Sequence, residues 1–149
     1  MRAALGVIVS FVTMSMFVLA LSLAPWFALG QDTVLEPGSF ESTALFNAYA
    51  IALGILGAVF AGWLCVMIGR SRTAVLVLAV LCFAGGLMNV VMQHRKPDPG
   101  PRLDGLTVME AVNLRKEPDW FTLLMPPVGA VSVLLSGRRA LTRGIRRPF

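Results

Sequence analysis

Charge is what this sequence has least of. Only 14% of its 149 residues are Asp, Glu, Lys or Arg, against roughly 25% in soluble domains. With 56% hydrophobic residues and a mean hydropathy of +0.75, a soluble core would leave too little polar surface to face water. The shortage excludes a soluble globular domain and points to one integral membrane domain over residues 1–149. Acids are missing where membrane chemistry most needs them. No Asp or Glu lies between Glu41 and Asp98, or after Asp119. No apolar run therefore carries the intramembrane carboxylate that proton relays and coupled transporters use.

Other absences narrow the field further. Four-span multidrug transporters depend on a Glu in the first span, and this first apolar run has none. The single histidine, His94, stands at the outer edge of the third run, so no intramembrane His is present to bind haem. The two cysteines, Cys65 and Cys82, lie inside apolar runs with no CxxC or metal-ligand spacing. Counted from the basic turn at Arg70–Arg72 they differ in depth by about 7 Å, which argues against a disulfide and for small packing residues. His94, Asp98 and Asp104 fit no ligand template. No nucleophile–base pair is visible, so neither an enzyme nor a cofactor is expected. No internal repeat of the kind found in large transporters is evident.

What is present is apolar sequence in four blocks. Residues 3–29, 44–68, 73–92 and 120–136 each approach the ~20 residues a spanning helix needs, the last at the lower limit of about 17. The fold class expected is all-α: a four-helix transmembrane bundle. Arg2, the long run, Pro25 and "ALG" before Gln31 could be read as a cleaved signal. The run is far longer than a signal core, so a retained span is expected.

The charges then orient the chain. All eight acids fall in segments 30–43 and 93–119, while Arg2, Arg70, Arg72 and five tail arginines stand on the other side without an acid. The positive-inside rule places both termini and the Arg70–Arg72 turn in the cytoplasm. The pI near 10.2 is thereby a topology signal and not a nucleic-acid footprint.

Small residues line the second block. Ala50, Gly54, Ala58 and Gly62 fall four apart, widened by Gly57 and Ala61, and the third block holds Gly85 and Gly86 in "CFAGGLMN". In lipid, helices associate by close packing, so such residues mark interfaces. The short turn joining blocks two and three makes this the expected hairpin seam. A homo-oligomer face is the alternative, and a Gly/Ala pore lining would offer an ion no ligands. Asn47 and Asn89 are the intramembrane polar residues; structural bonding is expected of them, for which each could serve the other across that hairpin, with a ligand contact as the alternative. "LLMPPVGAVS" carries Pro126 and Pro127, each removing a backbone donor. A helix break is expected there, either a structural kink or the start of a binding site.

The flanks have their own signals. Thr107 followed by Glu110 reads as a capping box. Leu106, Met109 and Val112 give one apolar side, predicting a short interfacial helix over 108–115, with Trp120 anchoring the fourth span. The tail "GRRALTRGIRRPF" sets Leu141, Ile145 and Phe149 among Arg138, Arg139, Arg143, Arg146 and Arg147. It predicts contact with anionic lipids at the cytoplasmic face, each arginine contributing about 1 kcal/mol.

Taken in order, "GWLCVMIGRSR", "GGLMNVVM" and "PDWF" resemble a group of small, uncharacterised bacterial four-span membrane proteins over residues 44–136. The resemblance implies a fold and a bacterial membrane, and the charge bias then implies the inner one. It implies no activity, and the charged insert between Gln93 and Pro118 is longer than the group's. The function expected is a structural or accessory multi-pass protein, packing with itself or a larger membrane complex through Gly/Ala helix faces. The alternative is a small oligomeric transporter or channel built around the Pro-containing fourth span.

Overall fold

The computed structural model of the protein describes residues 1–97, 99–100 and 106–145, the last three by their backbone alone. Among the described residues six helices follow in chain order: α1 (Arg2–Ala28), α2 (Gln31–Val34), α3 (Ala44–Gly69), α4 (Arg72–Arg95), α5 (Val108–Leu114) and α6 (Asp119–Ile145). Four of them, α1, α3, α4 and α6, are long and apolar enough to cross a membrane. Each block expected from hydropathy corresponds to one of these helices, but the fourth runs on to Ile145 and does not end at 136.

The neighbours differ from those expected. α3 packs along α1 on one side and α6 on the other, α6 packs along α4, and α3 and α4 touch far less. The glycine stripe shows why. A Cβ at Gly62 would meet Ser136 Oγ and stand 2.6 Å from the Val133 carbonyl, and one at Gly54 would stand 2.6 Å from Met125 Cε, all on α6. Gly57 instead faces α1, 3.0 Å from Val18 Cγ2. The stripe is therefore the α3–α6 seam and not the α3–α4 hairpin seam. A short turn ties only the ends of two helices. Which faces meet along their length depends on where side chains are small enough for backbones to approach. Ala58, Ala61, Cys65, Leu78 and Val133 are buried in the core this approach creates.

Two further close contacts carry the same logic and were not foreseen. Gly6 of α1 meets the Gly69 backbone, and Gly137 of α6 sits under Val75 of α4. Of the two α4 glycines, Gly86 holds Pro126, whose Cβ would be 2.8 Å from an added methyl. Gly85 is exposed, and among the described residues nothing stands within 4 Å of a Cβ added there. Ala50 is half-buried.

Pro126 and Pro127 do not break the fourth span: α6 is helical from Asp119 to Ile145. The rings free the carbonyls of Thr122 and Leu123. Seating Pro126 in the notch at Gly86 holds the helix through the gap by tertiary packing. Nor does the chain turn at Gly137; Arg138 and Arg139 continue the same helix. The side chains of Arg143 and Ile145, and Arg146, Arg147 and Phe149 altogether, lie outside the described residues.

The α3–α4 turn is made by Arg70 in the left-handed region, φ 45° and ψ 33°, its N–H donating to Val66 O at 2.9 Å. It is the one non-glycine described residue with positive φ. This turn and the core above it define the arginine end of the bundle. The two longer connections, α1–α3 and α4–α6, meet at the other.

Candidate functional site

At that other end the connections fold into a cap with a core of its own. The α1–α3 segment begins at Gly30, whose φ of 81° suits a residue without Cβ. It runs through α2 and reverses at Glu36–Ser39, where Pro37 and Gly38 (φ 72°) form the turn and Ser39 N–H donates to Glu36 O. Leu35 and Ser42 then pair antiparallel. The α4–α6 segment joins alongside. Ser42 N–H donates to Lys116 O at 3.2 Å, and Lys116 N–H donates to Phe40 O at 2.9 Å. Beneath these bonds Trp26, Val34, Leu35, Phe40, Phe46 and Ala111 are buried together, with Trp26 edge-on to Phe46 at 6.3 Å.

α5 closes the cap. Thr107 and Glu110 form the expected capping box: Thr107 Oγ1 accepts from Glu110 N–H at 3.4 Å, and Glu110 Oε2 accepts from Thr107 N–H at 2.9 Å. Hydrogen bonds from the Thr107 hydroxyl and backbone hold the Glu110 carboxyl below its ordinary pKa. At the far end of α5, Lys96 Nζ donates to Asn113 O at 3.4 Å and Arg115 O at 3.3 Å. A cation there suits a helix C-terminus.

The polar centre of the cap is Arg115. Its guanidinium stands over the Phe46 ring, 5.0 Å from the centroid, and pairs with Glu117. Their side chains are 21% and 8% exposed. Burial pulls Arg115 below its usual pKa, and the Glu117 charge opposes that shift. Glu117 Oε2 also accepts from Asn89 Nδ2 at 3.4 Å. Asn89 thus ties α4 to the second connection. Asn47, buried on α3, ties down the first: its Oδ1 accepts from Ser42 Oγ at 2.7 Å, and its Nδ2 donates to Ser42 O at 3.2 Å. The two asparagines do not bond each other across the hairpin, and Asn89 is exposed. Each is used on a different loop.

One further bond links helices near the cap. Pro25 lies inside α1 and has no N–H for the carbonyl of Leu21 four residues back. Tyr49 Oη of α3 donates to that carbonyl at 2.8 Å. In lipid a neighbouring helix must supply such a donor. The signal was present in the sequence as an interior proline and a lone tyrosine, though nothing there pairs them. Arg115 and Glu117 were missed because two charges in a charged loop look solvated until Phe46 is placed beneath them.

Six of the acids, Asp32, Glu36, Glu41, Glu110, Glu117 and Asp119, stand at the cap end, and Asp98 and Asp104 lie outside the described residues. His94 Nε2 is 3.8 Å from Asp119 Oδ1, an exposed pair between the ends of α4 and α6. Among the described residues no three His, Cys, Asp or Glu side chains come together as a metal site would need. The cap encloses an apolar core and carries ionisable side chains, such as His94 and Asp119, on its exposed side. Comparison with protein-family models, curated proteins and solved structures returned no match to this chain.

Proposed function

We propose that this is a small accessory protein of the bacterial inner membrane, with both termini cytoplasmic. It packs with itself or a larger membrane complex through a Gly/Ala helix face and offers the cap outward as a docking element. Four apolar helices support membrane residence, and the arginine bias supports the orientation. α5, in the cap, would then lie at the outer interface. Kinship with the small four-span bacterial proteins is part of the same reading.

The observation that carries the packing role is bare Gly85. A glycine inside a helix costs about 1 kcal/mol relative to alanine. Gly54, Gly62 and Gly86 are filled by α6, while Gly85 meets nothing among the described residues. Leu81 and Met88 stand exposed on the same helix. The transport reading has less to rest on, because α6 runs unbroken through Pro126 and Pro127 and both asparagines are spent on loops.

The test is tagged extraction into native-lipid nanodiscs, followed by mass spectrometry of what stays attached. A stoichiometric partner or a homo-oligomer that is lost in Gly85→Leu is expected. A monomer that carries nothing would overturn the reading.

A further inference from the structure

A cleft of about 500 Å³ opens between α4 and α6 at the arginine end. Arg72 at the start of α4 and Arg138 on α6 line it, together with the hydroxyl residues Thr73 and Thr142 and aliphatic side chains that include Val75 and Leu134. Among the described residues neither arginine has a carboxylate partner, and no Asp or Glu occurs within 42–97 or 120–149 to provide one. Two guanidinium groups without an acid partner among the described residues, beside a largely aliphatic trough, suit a molecule with a phosphate at one end and a hydrocarbon chain at the other.

From that match we propose that the α4–α6 cleft is a binding site for one anionic phospholipid. The headgroup phosphate is clamped between Arg72 and Arg138, and an acyl chain lies along Val75, Leu134 and Leu141. Arginine suits the role, since its planar fork can make paired bonds to phosphate oxygens. Basic pockets between spanning helices are a recurrent way to hold acidic headgroups. The walls fit a lipid better than a free anion, because a chain joined to the phosphate can lie along them while the arginines hold the headgroup. The inference rests on membrane residence and not on the accessory role. The site would be filled whether or not a partner copurifies.

The experiment is native mass spectrometry of the detergent-purified full chain, titrated with phosphatidylglycerol, phosphatidylcholine or glycerol phosphate. One phosphatidylglycerol retained per chain is expected, with neither of the others held. At about fivefold per arginine, the double variant Arg72→Gln/Arg138→Gln should weaken retention about 30-fold. Arg70→Asn/Arg139→Gln removes the same charge outside the cleft and should change it less than twofold. Leu76→Trp fills the trough with both arginines intact and should also displace the lipid. Thermal melts of each variant confirm that it is folded; a variant that is not is replaced by Arg138→Gln alone, with about fivefold loss expected. Equal losses in both double variants would mean a diffuse basic surface. Equal retention of phosphatidylcholine would mean no headgroup site, and tight glycerol phosphate binding would mean a phosphate site without a lipid. Each of these overturns the proposal.

Discussion

At the arginine end the helices meet over Ala61, Cys65, Leu78 and Val133, small or medium apolar side chains, with the buried hydroxyl of Ser10 beside Cys65. At the cap end Trp26, Phe40 and Phe46 bury beneath loop backbone, with an arginine, a glutamate and two asparagines bonded around them. Both regions join segments distant in sequence. They differ in the way that a lipid setting for the apolar helices and a watery one for the loops would make them differ. Within lipid, apolar surface gains little from being covered, so cohesion comes from close backbone approach, and glycine is the means. Beyond lipid, water drives aromatic and aliphatic burial, while loop N–H and C=O groups need partners. The cap therefore uses large side chains and explicit hydrogen bonds, and the bundle uses small ones and few.

The difference can be broken from either side. The largest effect is expected at the Arg115–Glu117 pair. Glu117→Ala leaves a mostly buried guanidinium uncompensated, at a cost of about 3 kcal/mol. Hydrogen exchange should rise across 33–43 and 106–117 while 57–79 stays protected. Uniform loss of protection would mean that cap and bundle are one cooperative unit. Gly62→Leu attacks the other region, forcing a side chain into Ser136 and the Val133 backbone. Overpacking of this kind costs about 1–3 kcal/mol. The pattern of exchange should be the reverse, and unfolding by SDS should begin at lower detergent fraction. Retained stability would place α6 elsewhere.

A smaller effect sits between the two. Tyr49→Phe removes the donor to Leu21 O and should cost about 1 kcal/mol, read as loosening of α1 near Pro25. The same substitution in a Pro25→Ala background should cost nearly nothing, since alanine restores the N–H that carbonyl lacks.

The smallest effect is one of pH. Glu110 is held below its ordinary value by Thr107 in the folded chain. A depressed folded-state pKa adds stability above the unfolded value, and that stability is lost as pH falls through the folded one. Protection of α5 should therefore fall on acidification below the ordinary carboxylate range. In Glu110→Gln that dependence should be absent.

Much of the bundle was legible in advance, and for definite reasons. Residues 44–68 announce a span because an apolar run of that length has few other stable settings, and α3 occupies Ala44–Gly69. Thr107 and Glu110 announce the start of α5 because a capping box is local, made by residues three apart. Gly54 and Gly62 were legible as packing residues but not as neighbours of α6. Pro126 looked like a break because the groove at Gly86 that accepts it lies 40 residues away. Asn47 and Asn89 looked like partners because they end adjacent spans, but Ser42 and Glu117 lie within reach and claim them first.

The number of helices long and apolar enough to span and the segregation of acids from arginines came from the sequence alone. Each depends on composition or on contacts within a few residues. The tertiary structure decided which helix fills the glycine stripe, which donor rescues the Leu21 carbonyl and which ring lies under Arg115. Periodicity shows that a helix has a face. Only the arrangement of the other helices and loops around it determines what that face meets.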